Sequence, residues 1–200
     1  MNELLIQLQA LLATIETNLP ATLIIILGLW LIQLINVLVG YRLNLIGIYP
    51  RHLFGLIGIP FFSFLHGGFN HLFFNSIPLF VLINFLLIDG INKFINLTIS
   101  IIVLSGTAIW LFGRRAIHIG ASCLVMGYWG FLLIDAYQHP SILSVILAVV
   151  CLYYFGGLFF SVFPSEEKVS WEGHLFGLLA GLATNYLWSM NYLHWFSNSR

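Results

Sequence analysis

Six long apolar stretches constrain the fold of this chain more than any other feature. They run over residues 21–39, 69–88, 94–112, 120–137, 141–163 and 171–190. About 20 apolar residues in a helix cross the hydrocarbon core of a bilayer, so each stretch is long enough to span it. The breaks between them contain turn formers and charges, such as Asp89-Gly90, His139-Pro140 and the loop 164–168. The pattern predicts an all-α membrane protein with a six-transmembrane-helix bundle.

Composition agrees with this prediction and limits the partners. Only 7% of the 200 residues are charged, where a soluble domain carries about 25%. The formal net charge of zero argues against a nucleic-acid partner and leaves the lipid bilayer as the surroundings. We divide the chain into an N-terminal lead-in over 1–20, a six-helix membrane domain over 21–190 and a C-terminal tail over 191–200. The lead-in lacks the basic start of a signal peptide, so we expect a retained, surface-lying segment.

Residues 40–68 form an unusual segment between the first and second stretches. They combine six glycines, two prolines and two arginines with many apolar residues. Such a segment is too irregular for a lipid-facing helix and too apolar for a free loop. Irregular backbone at membrane depth is stable only where it packs against protein or lines a water-filled cavity. We therefore expect a partly membrane-embedded loop between helices 1 and 2, with an ordinary interfacial hairpin as the alternative.

The distribution of cations predicts an orientation. The side of the N-terminus receives Lys93 and Arg200. The opposite side receives five cations, namely Arg42, Arg51, Arg114, Arg115 and Lys168. By the positive-inside rule, the N-terminus lies outside the cytoplasm.

Three polar clusters lie at the starts of the second, fourth and sixth stretches. They are His71 with Asn75, the run Gly120-Ala121-Ser122, and His174 with the glycines that follow it. These three helices begin on the same side, opposite the N-terminus. At a rise of 1.5 Å per residue, each cluster lies roughly 5–10 Å below that surface. Intramembrane polar groups usually mark function, so the clusters predict one shared site.

The residue types in these clusters suit acyl transfer. Ser122 would be the nucleophile at a helix N-terminus, where free N–H groups stabilise an oxyanion. His174 would be its base, because Gly177 and Gly181 share its helical face and allow close packing against the helix of Ser122. Cys123 belongs to the matching small-residue stripe on that helix. No carboxylate is placed to orient the imidazole, so the prediction is a Ser–His dyad. The alternatives are an N-cap serine and a histidine bonded to a backbone carbonyl.

His71 and Asn75 share a helix face and could donate to the oxyanion together with the backbone amide of Ser122. Hydrogen bonding between helices is the alternative role for this pair. Gly120 would let the substrate backbone approach, and His66 would brace the preceding loop. A zinc site built from these histidines and His118 is disfavoured, because no H-E-x-x-H motif or neighbouring carboxylate accompanies them.

In this order, the motifs resemble those of the rhomboid intramembrane serine proteases. The resemblance covers roughly residues 41–190 and rests on residues 66–75, 120–122 and 173–181. It implies a six-helix core, a nucleophile at Ser122, a base at His174 and oxyanion donors at His71 and Asn75. It also implies that the substrates are transmembrane helices, unwound near small residues and cut near the membrane face. No cofactor is implied, and the family orientation, with the N-terminus inside, is the reverse of the cation count.

Three positions depart from the family pattern. Cys123 stands where Gly usually follows the nucleophile, and Met126 stands where an aromatic side chain supports the histidine ring. The usual Trp-Arg pair of the embedded loop is missing. We expect a multi-pass serine endopeptidase of a bacterial plasma (inner) membrane, with its site opening opposite the N-terminus. The alternatives are a catalytically weak or inactive relative that binds transmembrane clients, and a small-solute transporter.

Overall fold

The computed structural model describes residues 2–140, 149, 153 and 170–198. Within these residues the regular structure is helical, and no strand is present apart from one isolated bridge. We label the α-helices α1 Asn2–Leu38, α2 Leu53–Ile57, α3 Phe69–Leu86, α4 Ile91–Phe112, α5 Ser122–Gln138 and α6 Trp171–Asn198. Short 3-10 helices cover Arg42–Ile46, Phe62–Phe64 and Leu87–Asp89. The predicted fifth span, 141–163, and the polar loop 164–168 lie outside the described residues.

Three described helices have the length and apolarity to cross a bilayer: Leu8–Leu38, Phe69–Asp89 and Ile91–Phe112. They correspond to the first three predicted spans, and α5 and α6 correspond to the fourth and sixth. The prediction of an all-α membrane protein is therefore confirmed.

Helices continue through both ends of the described chain. The residues expected to form a lead-in over 1–20 are continuous with the first span, because α1 is one helix from Asn2 with Pro20 inside it. Residues rich in Leu, Ala, Gln and Glu favour helix, and the helix accommodates Pro20 at the loss of one backbone hydrogen bond. Likewise, α6 continues to Asn198 through most of the expected tail.

The segment 40–68 is irregular backbone held against the protein on one side. Ile48 exchanges two backbone hydrogen bonds with His118, at 3.1 and 2.9 Å. Ile48 and Phe62 are buried, whereas Leu53 and Phe54 of α2 are 80% and 77% exposed. A loop with one face on the protein and apolar side chains on the other is the embedded arrangement that the sequence predicts, rather than a free hairpin.

Helix α5 is the centre of the bundle, since all its residues from Cys123 to Phe131 are buried. Its backbone lies directly against that of α6. A Cβ atom built on Gly177 would lie 2.8 Å from the Cα atom of Cys123, and one on Gly181 would lie 2.8 Å from the carbonyl carbon of Gly127. The two small-residue stripes thus meet, although the sulfur of Cys123 turns towards the carbonyl oxygen of Gly120, 3.7 Å away.

Candidate active site

A cavity of about 620 Å³ opens where α3, α5 and α6 begin. Its lining includes the four residues expected to act in catalysis: His71, Asn75, Ser122 and His174. The three polar clusters therefore meet in one place, because the helices that carry them start at one end of the bundle. Met126 of α5 also lines this cavity.

Ser122 is the first residue of α5, and Ala121 occupies the N-cap position. No side chain caps this helix, so the reading of Ser122 as a capping serine is wrong. The first helical hydrogen bonds run from the amides of Leu124 and Val125 to the carbonyl oxygen of Ala121, at 2.9 and 3.0 Å. The backbone N–H groups that precede Leu124 in α5 have no acceptor within the helix. The hydroxyl of Ser122 thus stands beside N–H groups that can stabilise negative charge.

Gly120 occupies the point where the loop before α5 passes the ring of His71. Its φ of +127° is one that side-chain-bearing residues rarely adopt. A Cβ atom there would lie 2.9 Å from His71 Cε1 and 3.7 Å from Ser122 Oγ. This glycine therefore lets the loop come close to His71, whereas the sequence predicted that it lets the substrate backbone approach.

His66 connects the loop before α3 to the residue that precedes the serine. Its Nε2 accepts a hydrogen bond from the backbone N–H of Ala121 at 3.3 Å. Its ring meets that of His71 edge-on, with centroids 5.1 Å apart. Burial, with a smaller contribution from His71, lowers the pKa of His66 from 6.5 to about 3. The ring is neutral at physiological pH and acts as a hydrogen-bond acceptor.

Asn75 presents an unused donor at the cavity. Its side chain is 8% exposed, and its Nδ2 has no hydrogen-bond acceptor within the described part of the chain. A buried amide donor left unpaired is costly unless a ligand or water completes it. This favours ligand binding over the alternative of hydrogen bonding between helices.

His174 lies in the first turn of α6, where its N–H reaches the carbonyl oxygen of Ser170 at 3.4 Å. It lines the same cavity as His71. Glu172 is an acidic residue two positions before His174 in the sequence. That side chain is buried and turns to Arg114 instead, with 3.3 Å between Oε1 and the Arg114 Nε.

The sequence-based reasoning missed a role for four residues, three of which line the cavity. They are Arg114, His118, Ser170 and Glu172. His118 was considered only as a metal ligand, but its Nε2 lies 3.0 Å from the carbonyl oxygen of Arg114 and its Nδ1 lies 2.7 Å from Ser170 Oγ. Nε2 must carry the proton, because a carbonyl oxygen only accepts, and Nδ1 then accepts from the Ser170 hydroxyl. Burial lowers the pKa of His118, in keeping with this neutral form. The sequence feature that could have indicated these roles is the presence of charged residues beside two of the motifs.

Helices α3, α5 and α6, with a serine, two histidines and an asparagine around one cavity, define a membrane-embedded candidate hydrolase site. Comparison with known proteins agrees with the fold. The family model described as Rhomboid domain matches residues 53–191. The chain belongs to the rhomboid family, as its motifs predicted.

The similar curated proteins come from mycobacteria. Uncharacterized proteins of Mycobacterium bovis and Mycobacterium tuberculosis are each 36% identical over 170 residues, covering 80% of this chain and 71% of theirs. An uncharacterized protein of Mycobacterium leprae is 34% identical, covering 80% of this chain and 67% of its own length. The relationship thus extends over most of the membrane domain.

Proposed function

We propose that this protein is an intramembrane serine endopeptidase that cleaves transmembrane or membrane-anchored proteins near the membrane face. The observation that carries the proposal is that Ser122, His174, His71 and Asn75 line one cavity. Membership of the rhomboid family supports it, because members of that family are generally intramembrane serine proteases.

In the proposed reaction, the Ser122 Oγ attacks the scissile carbonyl carbon while His174 takes the hydroxyl proton. His174 then returns that proton to the leaving amine, and the peptide bond breaks to leave an acyl-enzyme. Water, deprotonated by His174, hydrolyses the ester and regenerates the serine.

The tetrahedral intermediate carries its negative charge on the former carbonyl oxygen. The backbone N–H of Ser122 and the side chains of His71 and Asn75 are the proposed donors to this oxyanion. In other oxyanion holes, loss of one donor reduces transition-state stabilisation by about 3 kcal/mol, and each donor here should contribute a similar amount. The unpaired Nδ2 of Asn75 is a ready donor, because binding the oxyanion breaks no existing protein hydrogen bond.

The substrate class follows from access to this cavity. Backbone carbonyls in an intact helix accept hydrogen bonds from the following turn and are shielded by side chains. A transmembrane substrate must therefore unwind locally, and small residues with weak helix preference make this easier. One water molecule occupies roughly 30 Å³ in the liquid. The cavity volume of about 620 Å³ is many times larger, so the cavity has room for hydrolytic water beside an extended segment.

We place the protein in a bacterial plasma membrane, with the cavity opening opposite the N-terminus. Arg51 donates to the carbonyl oxygens of Leu111 and Gly113 at 3.1 and 2.9 Å, and Arg114 is paired with Glu172. Both remain cations on the cavity side, so the cation count still places the N-terminus outside the cytoplasm, against the family orientation.

Fluorophosphonate labelling tests the proposal. The wild-type protein in detergent should be labelled, and Ser122→Ala should lose both labelling and cleavage of a model transmembrane substrate while remaining folded. Ser100→Ala is the matched control, since Ser100 lies half-buried on α4, outside the cavity lining, with its hydroxyl bonded to the carbonyl oxygen of Asn96. Labelling of Ser122→Ala at the wild-type rate would contradict Ser122 as the nucleophile. A wild-type protein inert to both assays would instead favour a relative that only binds transmembrane clients.

A further inference from the structure

Four polar residues, three of which line the cavity, join two separate parts of the chain. Arg114 and His118 lie in the loop between α4 and α5, whereas Ser170 and Glu172 lie at the start of α6. The Arg114 side-chain Nε and its backbone N–H both reach Glu172 Oε1, each at 3.3 Å. The second connection is the hydrogen bond between Ser170 Oγ and His118 Nδ1, at 2.7 Å. The proposed chemistry uses none of these four side chains.

These connections lie next to the two reacting residues. Ser122 follows His118 by four positions, and His174 follows Glu172 by two. We propose that the four residues form an interhelix clamp, which sets the distance and orientation between Ser122 and His174. The inference rests on the proposed function, and the clamp members are positioning residues that do not touch the substrate.

The start of α6 depends on such support. The amides of a first helical turn have no acceptors within the helix, and helix ends fray. The Ser170 carbonyl oxygen accepts from the Gly173 N–H at 3.0 Å and from the His174 N–H at a longer 3.4 Å. Ser170 Oγ accepts from the Gly173 N–H at 3.2 Å while its own proton goes to His118. One hydroxyl therefore caps α6 and attaches that cap to the loop of Ser122.

The loop side of the clamp is itself firmly held. His118 exchanges two backbone hydrogen bonds with Ile48, and the Gly120 N–H donates to the Phe62 carbonyl oxygen at 2.9 Å. His66 accepts from the Ala121 N–H. The embedded segment 40–68 thus fixes the loop, and the clamp transmits that fixed position to α6.

Glu172 is the side chain through which the clamp can be tested most directly. It is 2% exposed, and a carboxylate at such a site requires a cationic partner. Charge-assisted hydrogen bonds to a guanidinium are directional as well as strong. In serine proteases with a triad, a carboxylate holds the imidazole directly. Here Glu172 would act through the helix backbone instead, which explains how a dyad keeps its base in place.

Glu172→Gln in the full chain tests the clamp, because glutamine keeps the shape and can still accept from the Arg114 N–H while losing the charge. We expect the rate of fluorophosphonate labelling of Ser122 to fall about 10- to 100-fold, since a displacement of 1 Å can cost 100-fold. On a transmembrane substrate kcat should fall by a similar factor with KM within about twofold. Arg114→Ala should behave alike, and Arg114→Lys should recover part of the rate. The double variant Arg114→Ala/Glu172→Gln should lose no more than the worse single variant.

The matched control is Arg115→Ala, which removes an exposed cation from the adjacent position. It should keep the wild-type labelling rate. A second measurement, amide hydrogen exchange at residues 173–174, should show faster exchange in Glu172→Gln than in the wild type. Three results would overturn the clamp. One is labelling within twofold of the wild-type rate in both Glu172→Gln and Arg114→Ala, measured below their melting temperatures. The others are a change in KM alone and unchanged amide exchange at residues 173–174.

The two proposals fail in distinguishable ways. A wild-type protein that is not labelled at Ser122 contradicts the protease, and exchange at residues 173–174 then decides whether the cluster still holds the start of α6. A labelled wild type with unaffected clamp variants contradicts the clamp alone.

Discussion

Gly181→Ala would separate α5 from α6 at the point where their backbones are closest. The new Cβ atom would lie 2.8 Å from the carbonyl carbon of Gly127 and closer still to its carbonyl oxygen, against an ordinary contact of 3.4–4 Å. Both atoms are backbone, so no side-chain rotation relieves the overlap. The helices must therefore move apart by on the order of 1 Å.

The expected effect is larger on catalysis than on stability. Overpacking costs roughly 1–3 kcal/mol, but replacing a helical glycine by alanine recovers about 1 kcal/mol. The free energy of unfolding should therefore fall by at most about 2 kcal/mol. His174 lies two turns before Gly181 on the same helix and moves with it, and a 1 Å displacement can cost about 100-fold in rate.

The assay is the cleavage rate of a transmembrane substrate, measured with thermal stability in the same detergent. Gly28→Ala in α1 is the matched control, because no described residue has an atom within 4 Å of a Cβ atom at that position. It should keep the wild-type rate and be equally or more stable. A Gly181→Ala protein with wild-type activity and stability would refute the argument that backbone contact between these helices positions His174.

Three further predictions concern single residues. Asn75→Ala should lower kcat by about 10- to 1000-fold with the melting temperature nearly unchanged, since one oxyanion donor is lost; reduced stability at constant kcat would indicate a purely structural role. Gly120→Ala should slow fluorophosphonate labelling at least 10-fold, because its φ of +127° is unfavourable and the methyl group would press on His71; wild-type labelling would contradict this. Because the pKa of His66 is about 3 in the folded protein and its ordinary value is 6.5, the unfolded chain gains a proton first as the pH falls. Stability should therefore be full above pH 6.5 and decline towards pH 3 by up to about 1.4 kcal/mol per unit, a slope that His66→Asn should reduce in pH-dependent melting.

The sequence by itself determined the fold class and the composition of the site. Long apolar stretches predict spanning helices because backbone groups in lipid must bond within their own segment. The helix starts at Phe69, Ser122 and Trp171 lie close to the expected boundaries. A common side and depth for the three polar motifs then followed from the number of crossings alone, and the cavity at that end contains all of them.

Only the tertiary structure decided which apolar residues form the core. Leu29 is 5% exposed and Leu31 is 58% exposed, two positions apart on α1. In a soluble helix, the face exposed to water carries polar residues and the buried face carries apolar ones. Lipid is as apolar as the protein interior, so leucine can occupy both faces of a membrane helix. Hydropathy therefore indicates that a segment spans the membrane and not which way it faces.

The same limit applies to the partners of polar side chains. Gly120 gave no sign in the sequence that it makes room for His71, and nothing local joins Arg114 to Glu172, 58 residues later. Close approach and ion pairing depend on where helices and loops lie after packing. The chemistry could be predicted from residue types at known depths, whereas the contacts that hold Ser122 and His174 in place are properties of the folded bundle.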